Sequence, residues 1–429
     1  MLQDHEQIQA PPCKHSYGGT KHRIKKLCRS MILPLALMTC GAQAQVQGPG
    51  LGNLSYADDE LFKPISWIDR ENGIPATYPN RKAFGANVGI MINGYFLTLF
   101  APDSGSGPGG FLLYDVSDPR NIQLVKQIYE PKERTSDFRE AHSFGVGLIN
   151  GRTYVSIQST KGIEFWDFTD INDIQQVSKL RLPGVNSGDY SSVAWQLWWQ
   201  APYVYVSVAN QGMYVVDASD PVNPFIANRG DGRPNPIPPS ELGGVRAGPV
   251  FAMGNQLVVS SMESSTGWSS MDISDPLNPV LLTQTPNLNH YYATCFDGTK
   301  IHSATRGGGA RMVTYDLSNP EEFVLDNNSL RLDRMLYCGT QDHYVFEGGE
   351  DDLHKVDISN KDQYVVVGSG SLPRENTDHG QVSPMGNLIY VGNDHGTGNA
   401  FMVHDTNPDT TPPRRQAGFP PQRCHQTSD

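Results

Sequence analysis

The sequence predicts an all-β protein, a seven-bladed β-propeller of four-stranded blades with its last blade closed by an N-terminal strand. Three observations predict it: a turn phrase repeated seven times, a constant order of strands between copies, and a strand surplus and deficit at opposite ends. The phrase is clearest in Asp272-Ile-Ser-Asp-Pro276. It returns as Asp115-Val-Ser-Asp-Pro119, Asp167-Phe-Thr-Asp170, Asp217-Ala-Ser-Asp-Pro221, Asp316-Leu-Ser-Asn-Pro320, Asp357-Ile-Ser-Asn360 and Asp405-Thr-Asn-Pro408. A fixed phrase at a period of 41 to 55 residues marks a repeat architecture. Asp and Ser side chains bond the backbone two residues on and start a turn. Pro fixes φ and cannot donate to a ladder, so the phrase ends one strand and begins another at a sheet edge.

Between phrases the strands follow one order. In the second unit Ala141-His-Ser-Phe-Gly-Val-Gly-Leu-Ile149 is followed by Asn150-Gly151, then by Arg152-Thr-Tyr-Val-Ser-Ile157. A Lys161-Gly162 turn leads to Ile163-Glu-Phe-Trp-Asp167, the phrase, and Ile174-Gln-Gln-Val-Ser-Lys-Leu180. Asn-Gly between alternating apolar runs is a strong hairpin signal. Matching second strands begin at Tyr95, Tyr203, Leu257, Lys300, Tyr344 and Leu388. Seven such units around an axis make a propeller. The seventh lacks a fourth strand, because Asp405-Thr-Asn-Pro runs into Asp409-Thr-Thr-Pro-Pro413. The unassigned strand Leu61-Phe-Lys-Pro-Ile-Ser-Trp-Ile-Asp69 supplies it and covers an edge that would otherwise stay open.

Composition agrees. The 429 residues suit one repeat array, and 43 Gly with 31 Pro suit many short strands and tight turns. Lys21-His-Arg-Ile-Lys-Lys26, the apolar run Met31–Met38 and Ala42-Gln-Ala44 have the order of a secretory signal with an extended N-terminus, cut after Ala44. Leu37-Met-Thr-Cys40 is a poor fit to a lipid anchor. Removing residues 1–44 takes away six basic and two acidic residues, so the formal charge falls from −12 to −16. Such a charge argues against nucleic acid as partner. No apolar run is long enough to span a membrane. The expected domains are the signal over 1–44, the propeller over 45–410, and a disordered or truncated tail over 411–429. Three cysteines remain after cleavage, too few for a disulfide framework. Cys295 and Cys338 hold equivalent places in adjacent blades and are expected as buried free thiols, with a disulfide as the alternative.

Met213-Tyr-Val-Val-Asp-Ala-Ser-Asp-Pro221 and Met312-Val-Thr-Tyr-Asp-Leu-Ser-Asn-Pro320 resemble the LVIVD repeat family of bacterial secreted and surface propellers. The likeness covers about residues 80–408. It implies the propeller fold and an exported, surface-associated life, and it implies no particular reaction.

Chemistry in a propeller is expected where two sets of loops meet around the axis: those leading into the inner strands and those joining second to third strands. His142, Arg246 and Tyr291 start the inner strands of blades 2, 4 and 5. Arg can pair with a carboxylate while His and Tyr exchange protons. These are the requirements of β-elimination on a uronic-acid polysaccharide, and the chain is similar in architecture to ulvan-type lyases. It departs from them in the neighbouring loop, where Gln158 stands in place of a second histidine. Arg139, His290, Arg306, His379, His395 and Glu263 are further ligand-binding candidates from the same loop face. No cofactor is expected. His379 and His395, with Asp378 and Asp394, could hold a divalent metal, though no short ligand spacing supports one. Trp195, Trp198 and Trp199 are expected in the core. The functional reading is a binding module for a polar partner, a polysaccharide or a surface protein. A secreted polysaccharide lyase and a structural surface scaffold are the alternatives.

The exported protein is expected to begin at Gln45, to be checked by mass spectrometry of the secreted product. Retention of residues 31–44, or a lipid on Cys40, would refute the cleavage site.

Overall fold

The turn phrase folds as its chemistry requires. In six copies the lead Asp accepts, on Oδ1, the backbone N–H two residues on, from Ser117, Thr169, Ser219, Ser274, Ser318 and Ser359, at 2.7–2.9 Å. The fourth residue repeats the act: Asp118, Asp170, Asp220, Asp275, Asn319 and Asn360 each accept an N–H two residues on, at 2.8–3.2 Å. Two successive side-chain turns thus reverse the chain between the third and fourth strands.

The computed structural model of the chain describes residues 61–69, 84–85, 89–102, 110–129, 142–159, 161–186, 188–230, 232–233, 235–262, 267–285, 290–305, 311–332, 337–349, 352–371, 377–396, 399–406 and 414–415. They form seven antiparallel four-stranded blades in a ring. The inner strands, in order from blade 1, are Gly89–Ile92, Gly145–Ile149, Leu197–Gln200, Ala247–Met253, His290–Phe296, Tyr337–Gln341 and Thr377–Met385. In blade 7 the outer position is taken by Leu61–Asp69, antiparallel to Asn399–Asp405, with Lys63 opposite Asp405 and Ile68 opposite Phe401. The expected closure from the N-terminus is therefore present, and its Pro64 sits on an outermost strand, where a missing N–H is tolerated. Arg414–Arg415 adds a short parallel pairing to the same strand. Asn93-Gly94 and Asn150-Gly151 both have positive φ throughout, at 48° and 81° and at 51° and 76°, the geometry of tight hairpin turns. Among the described residues no helix is long and apolar enough to cross a membrane.

The core is divided into wedges, one at each blade junction. Between blades 7 and 1 lie Ile65, Phe96, Tyr114, Tyr390 and Phe401. Phe401 stacks on Phe96 and on Tyr114, each with ring centroids 4.6 Å apart. Truncating such a side chain to Ala costs about 3–5 kcal/mol. Close approach of blades needs glycine at two places. A Cβ on Gly147 would lie 2.6 Å from the Trp199 ring of blade 3, and one on Gly339 would lie 2.4 Å from the Val382 carbonyl of blade 7.

The phrase also joins the blades. The carbonyl four residues after the lead Asp accepts a side-chain donor from the preceding blade at five junctions. Ser66 donates to Pro119, Lys126 to Ile171, Ser178 to Pro221, Tyr205 to Pro276 and Asn327 to Lys361, at 2.6, 2.8, 2.6, 3.4 and 2.6 Å. A covalent link completes blades 5 and 6, since Cys295 and Cys338 form a disulfide. The expectation of free thiols is corrected: two inner strands side by side bring the Cα atoms to 5.7 Å, within bridging range.

The same junction holds a buried charged network. His302 Nδ1 meets Thr314 Oγ1 at 2.9 Å, and its Nε2 lies 3.8 Å from Asp297. Lys300 donates to Asp326 at 2.7 Å, and Tyr364 of blade 6 donates to the same carboxylate. Burial pulls the His302 pKa down, with Asp297 only partly opposing it. Burial works against ionisation of Asp297, yet the nearby His302 ring and hydrogen bonds from the N–H groups of Lys300 and Thr299 hold its pKa well below the carboxylate range. Both folded values lie below the unfolded ones, so the unfolded chain binds more protons and stability falls as pH falls.

Two outcomes are expected. Deleting residues 45–70 removes the closing strand and should give aggregates in size-exclusion chromatography; a monomer with unchanged melting would refute the closure. Tm should be level above the ordinary histidine value of 6.5 and decline below it, then fall again below about 4 as Asp297 and Asp326 are protonated. His302→Gln should flatten the first decline and leave the second.

Candidate ligand-binding site

The inner strands of all seven blades border an axial cavity of about 440 Å³. Its mouth is organised by one backbone group, the Trp195 carbonyl in the segment leading into blade 3. His142 Nδ1 meets this oxygen at 3.2 Å, and Gln158 Nε2 donates to it at 3.0 Å. A carbonyl only accepts, so Nδ1 carries a proton in this contact. The His142 ring stacks on the Trp195 indole, with centroids 4.0 Å apart and planes 16° from parallel. Ser143 fixes the next residue: its hydroxyl donates to the Leu197 carbonyl at 2.8 Å and accepts the Leu197 N–H at 2.9 Å. His142 is thus held by two hydrogen-bonded attachments between blades 2 and 3, and it is buried.

Tyr190 links Trp195 to Arg246. Tyr190 packs edge-on against the indole at 5.4 Å. The Arg246 guanidinium lies 5.4 Å from the Tyr190 ring centre, and its Nη2 donates to the Tyr190 carbonyl at 2.8 Å. A cation over an aromatic face and a charge-assisted hydrogen bond both hold the fork in place. Asp189, beside Tyr190, is occupied by its own turn: the Ser191 N–H and hydroxyl bind its Oδ1 at 2.9 and 2.7 Å and hold its pKa down.

Two of the three expected catalytic residues, His142 and Arg246, are therefore brought to one aromatic cluster across blades 2, 3 and 4. They are separated within it, because His142 borders the cavity and Arg246 does not. Tyr291 lies in the inner strand of blade 5, and its side chain is outside the described residues, as are those of His290, His379 and His395. The backbone pairing of blade 7 sets His379 opposite Asn393, so His379 and His395 share one end of that hairpin. Arg139, Glu263 and Arg306 also lie outside the described residues. Among the described residues no group of His, Cys, Asp or Glu is arranged to hold a metal ion. Trp195 and Trp199 are buried, as expected of core residues. They also border the cavity together with Trp198. That second role was not anticipated, although the Trp-x-x-Trp-Trp spacing places aromatic rings on both faces of an inner strand.

The LVIVD repeat family matches residues 187–230, which include Tyr190, Trp195 and the phrase at Asp217. No curated protein matches the chain in sequence. Among solved structures, the extracellular domain of a hybrid two-component system from B. thetaiotaomicron is 12% identical, with a TM-score of 0.55 over 81% of this chain and 44% of that one. The computationally designed Ika8 protein is 11% identical over 80% of this chain and 99% of that one, with a TM-score of 0.48. BamB from Moraxella catarrhalis is also 11% identical, over 84% and 97%, with a TM-score of 0.45. At such identities likeness concerns the fold alone. From its turn phrases and its ring of seven blades the chain is a seven-bladed β-propeller, and its residues 187–230 match the LVIVD repeat.

Proposed function

We propose that this propeller is exported and acts as a binding module, taking a polar carbohydrate ligand on the loop face around Trp195 and Arg246. The observation that carries the reading is the cluster of His142, Trp195, Tyr190 and Arg246, which joins aromatic rings bordering the cavity to a positioned guanidinium. Aromatic walls with a few directed polar groups are what small-ligand sites are made of. Export is supported by the signal-like N-terminus and by the Cys295–Cys338 disulfide, since such bonds persist in oxidising compartments.

Binding is preferred to elimination chemistry because of how His142 is held. A general base must reach the proton that it removes. His142 is buried against the Trp195 indole with Nδ1 committed to a carbonyl, and it borders the cavity whereas Arg246 does not. The lyase reading needs the two to act on one uronate residue.

The test uses residues 45–429 with neutral and uronate-containing polysaccharides. Affinity electrophoresis should show retardation, without rising absorbance from unsaturated sugar ends. Arg246→Lys keeps the charge and loses the fork. It should weaken retardation by roughly 1–3 kcal/mol, the worth of a hydrogen bond to a charged group. Arg181→Lys, on the exposed outer strand of blade 2, should have no effect. Equal losses from both would refute the site. Turnover that disappears in His142→Ala would replace the binding reading with the lyase.

A further inference from the structure

We propose that the axial cavity is itself a binding site, for one uncharged sugar ring, distinct in chemistry from the cationic surface at Arg246. Three observations lead there. The first is size: about 440 Å³ falls within the range of small-molecule sites, roughly 300–1,000 Å³. The second is charge. Among the described lining residues there is no Asp, Glu, Lys or Arg, and the only titratable side chains are His142 and Tyr337, since Cys295 and Cys338 are locked in their disulfide. Moving an ionised group into such a space without a counter-charge is strongly unfavourable. A uronate carboxylate would find no cation there.

The third observation is the kind of polarity present. Aromatic side chains from blades 2, 3, 4, 5 and 6 line the cavity together with the amides and hydroxyls of Gln196, Thr294, Thr340 and Gln381. Two lining residues on different blades carry a buried polar atom that makes no hydrogen bond, a donor on Trp199 Nε1 and an acceptor on Gln381 Oε1. Leaving such groups unsatisfied costs about 1–3 kcal/mol each. Sugar hydroxyls can pair with the lining amides and hydroxyls, while the C–H faces of the ring meet aromatic walls. The walls are rigid, being inner strands tied by the Ser143–Leu197 hydrogen bonds and by the Cys295–Cys338 disulfide. The site would therefore be formed in advance.

The inference shares Trp195 with the proposed loop-face site and does not need Arg246, so the two can fail separately. The experiment titrates residues 45–429 with the methyl α-glycosides of glucose, galactose and mannose and with sodium glucuronate at pH 7. Intrinsic tryptophan fluorescence is the readout, and saturation-transfer NMR checks contact. At least one neutral glycoside should bind saturably, with glucuronate weaker by about tenfold or more, the effect of about 1.4 kcal/mol. Gln381→Leu should weaken that glycoside about fivefold or more, with an unchanged or higher Tm in the absence of sugar, because a lone buried acceptor has been removed. Thr340→Val provides a second lining variant with the same expected direction, should Gln381→Leu not fold. Arg181→Lys, on the outer strand of blade 2 and away from the cavity, should leave glycoside binding unchanged. The proposal is overturned if no neutral glycoside saturates, if glucuronate binds as well, or if neither lining variant alters affinity. In the first case the cavity holds water only, and polysaccharide binding at Arg246 would still stand or fall by its own test.

Discussion

The arrangement depends on one local constraint, the use of side chains in place of backbone partners at the turn phrase. A buried or half-buried carbonyl must be paired. Because the lead Asp and the fourth residue reverse the chain with their own side-chain oxygens, the carbonyl of the fifth residue is turned outward from its blade. It is this group that the preceding blade binds, through Ser66, Lys126, Ser178, Tyr205 or Asn327. The donors differ while the acceptor stays fixed. A backbone acceptor at a constant place lets each blade be joined by whatever side chain its neighbour offers, and the angle between blades follows.

That dependence explains what could be read from sequence. The phrase is local and repeated, so its copies declared the blade count and the position of each third strand. Closure was legible for a different reason: strand edges must be covered, and a surplus at Leu61–Asp69 matched a deficit after Asp405. The disulfide was less legible. Cys295 and Cys338 had been placed in equivalent positions, yet equivalence in neighbouring blades fixes a distance only once the blade spacing is known. The cavity was not legible at all. Trp195, Trp198 and Trp199 have the composition of a core, and a core strand that borders a central space has the same apolar pattern as one that does not.

The site was half legible. Counting from the inner-strand starts brought His142 and Arg246 to one face because propeller topology repeats, and the structure joins them through Trp195 and Tyr190. What sequence could not supply was the direction of each group. His142 Nδ1 is committed to the Trp195 carbonyl, and Gln158, read only as the absence of a second histidine, is committed to the same oxygen. Both contacts cross between blades about 37 to 53 residues apart in the chain, where no local pattern reports them.

The closing strand sets the order in which the protein can be made. Leu61–Asp69 lies near the beginning of the propeller, and Asn399–Asp405 lies near its end, with Asp69 paired to Asn399. Joining ends about 330 residues apart costs on the order of 5 kcal/mol in loop entropy before any contact is gained. The strand synthesised first must wait for the strand synthesised last. Until then six blades can assemble in sequence beside one unpaired edge, which is the kind of species that associates with its neighbours. The slow step is thus fixed by topology, and ring closure comes only when the final blade has been made.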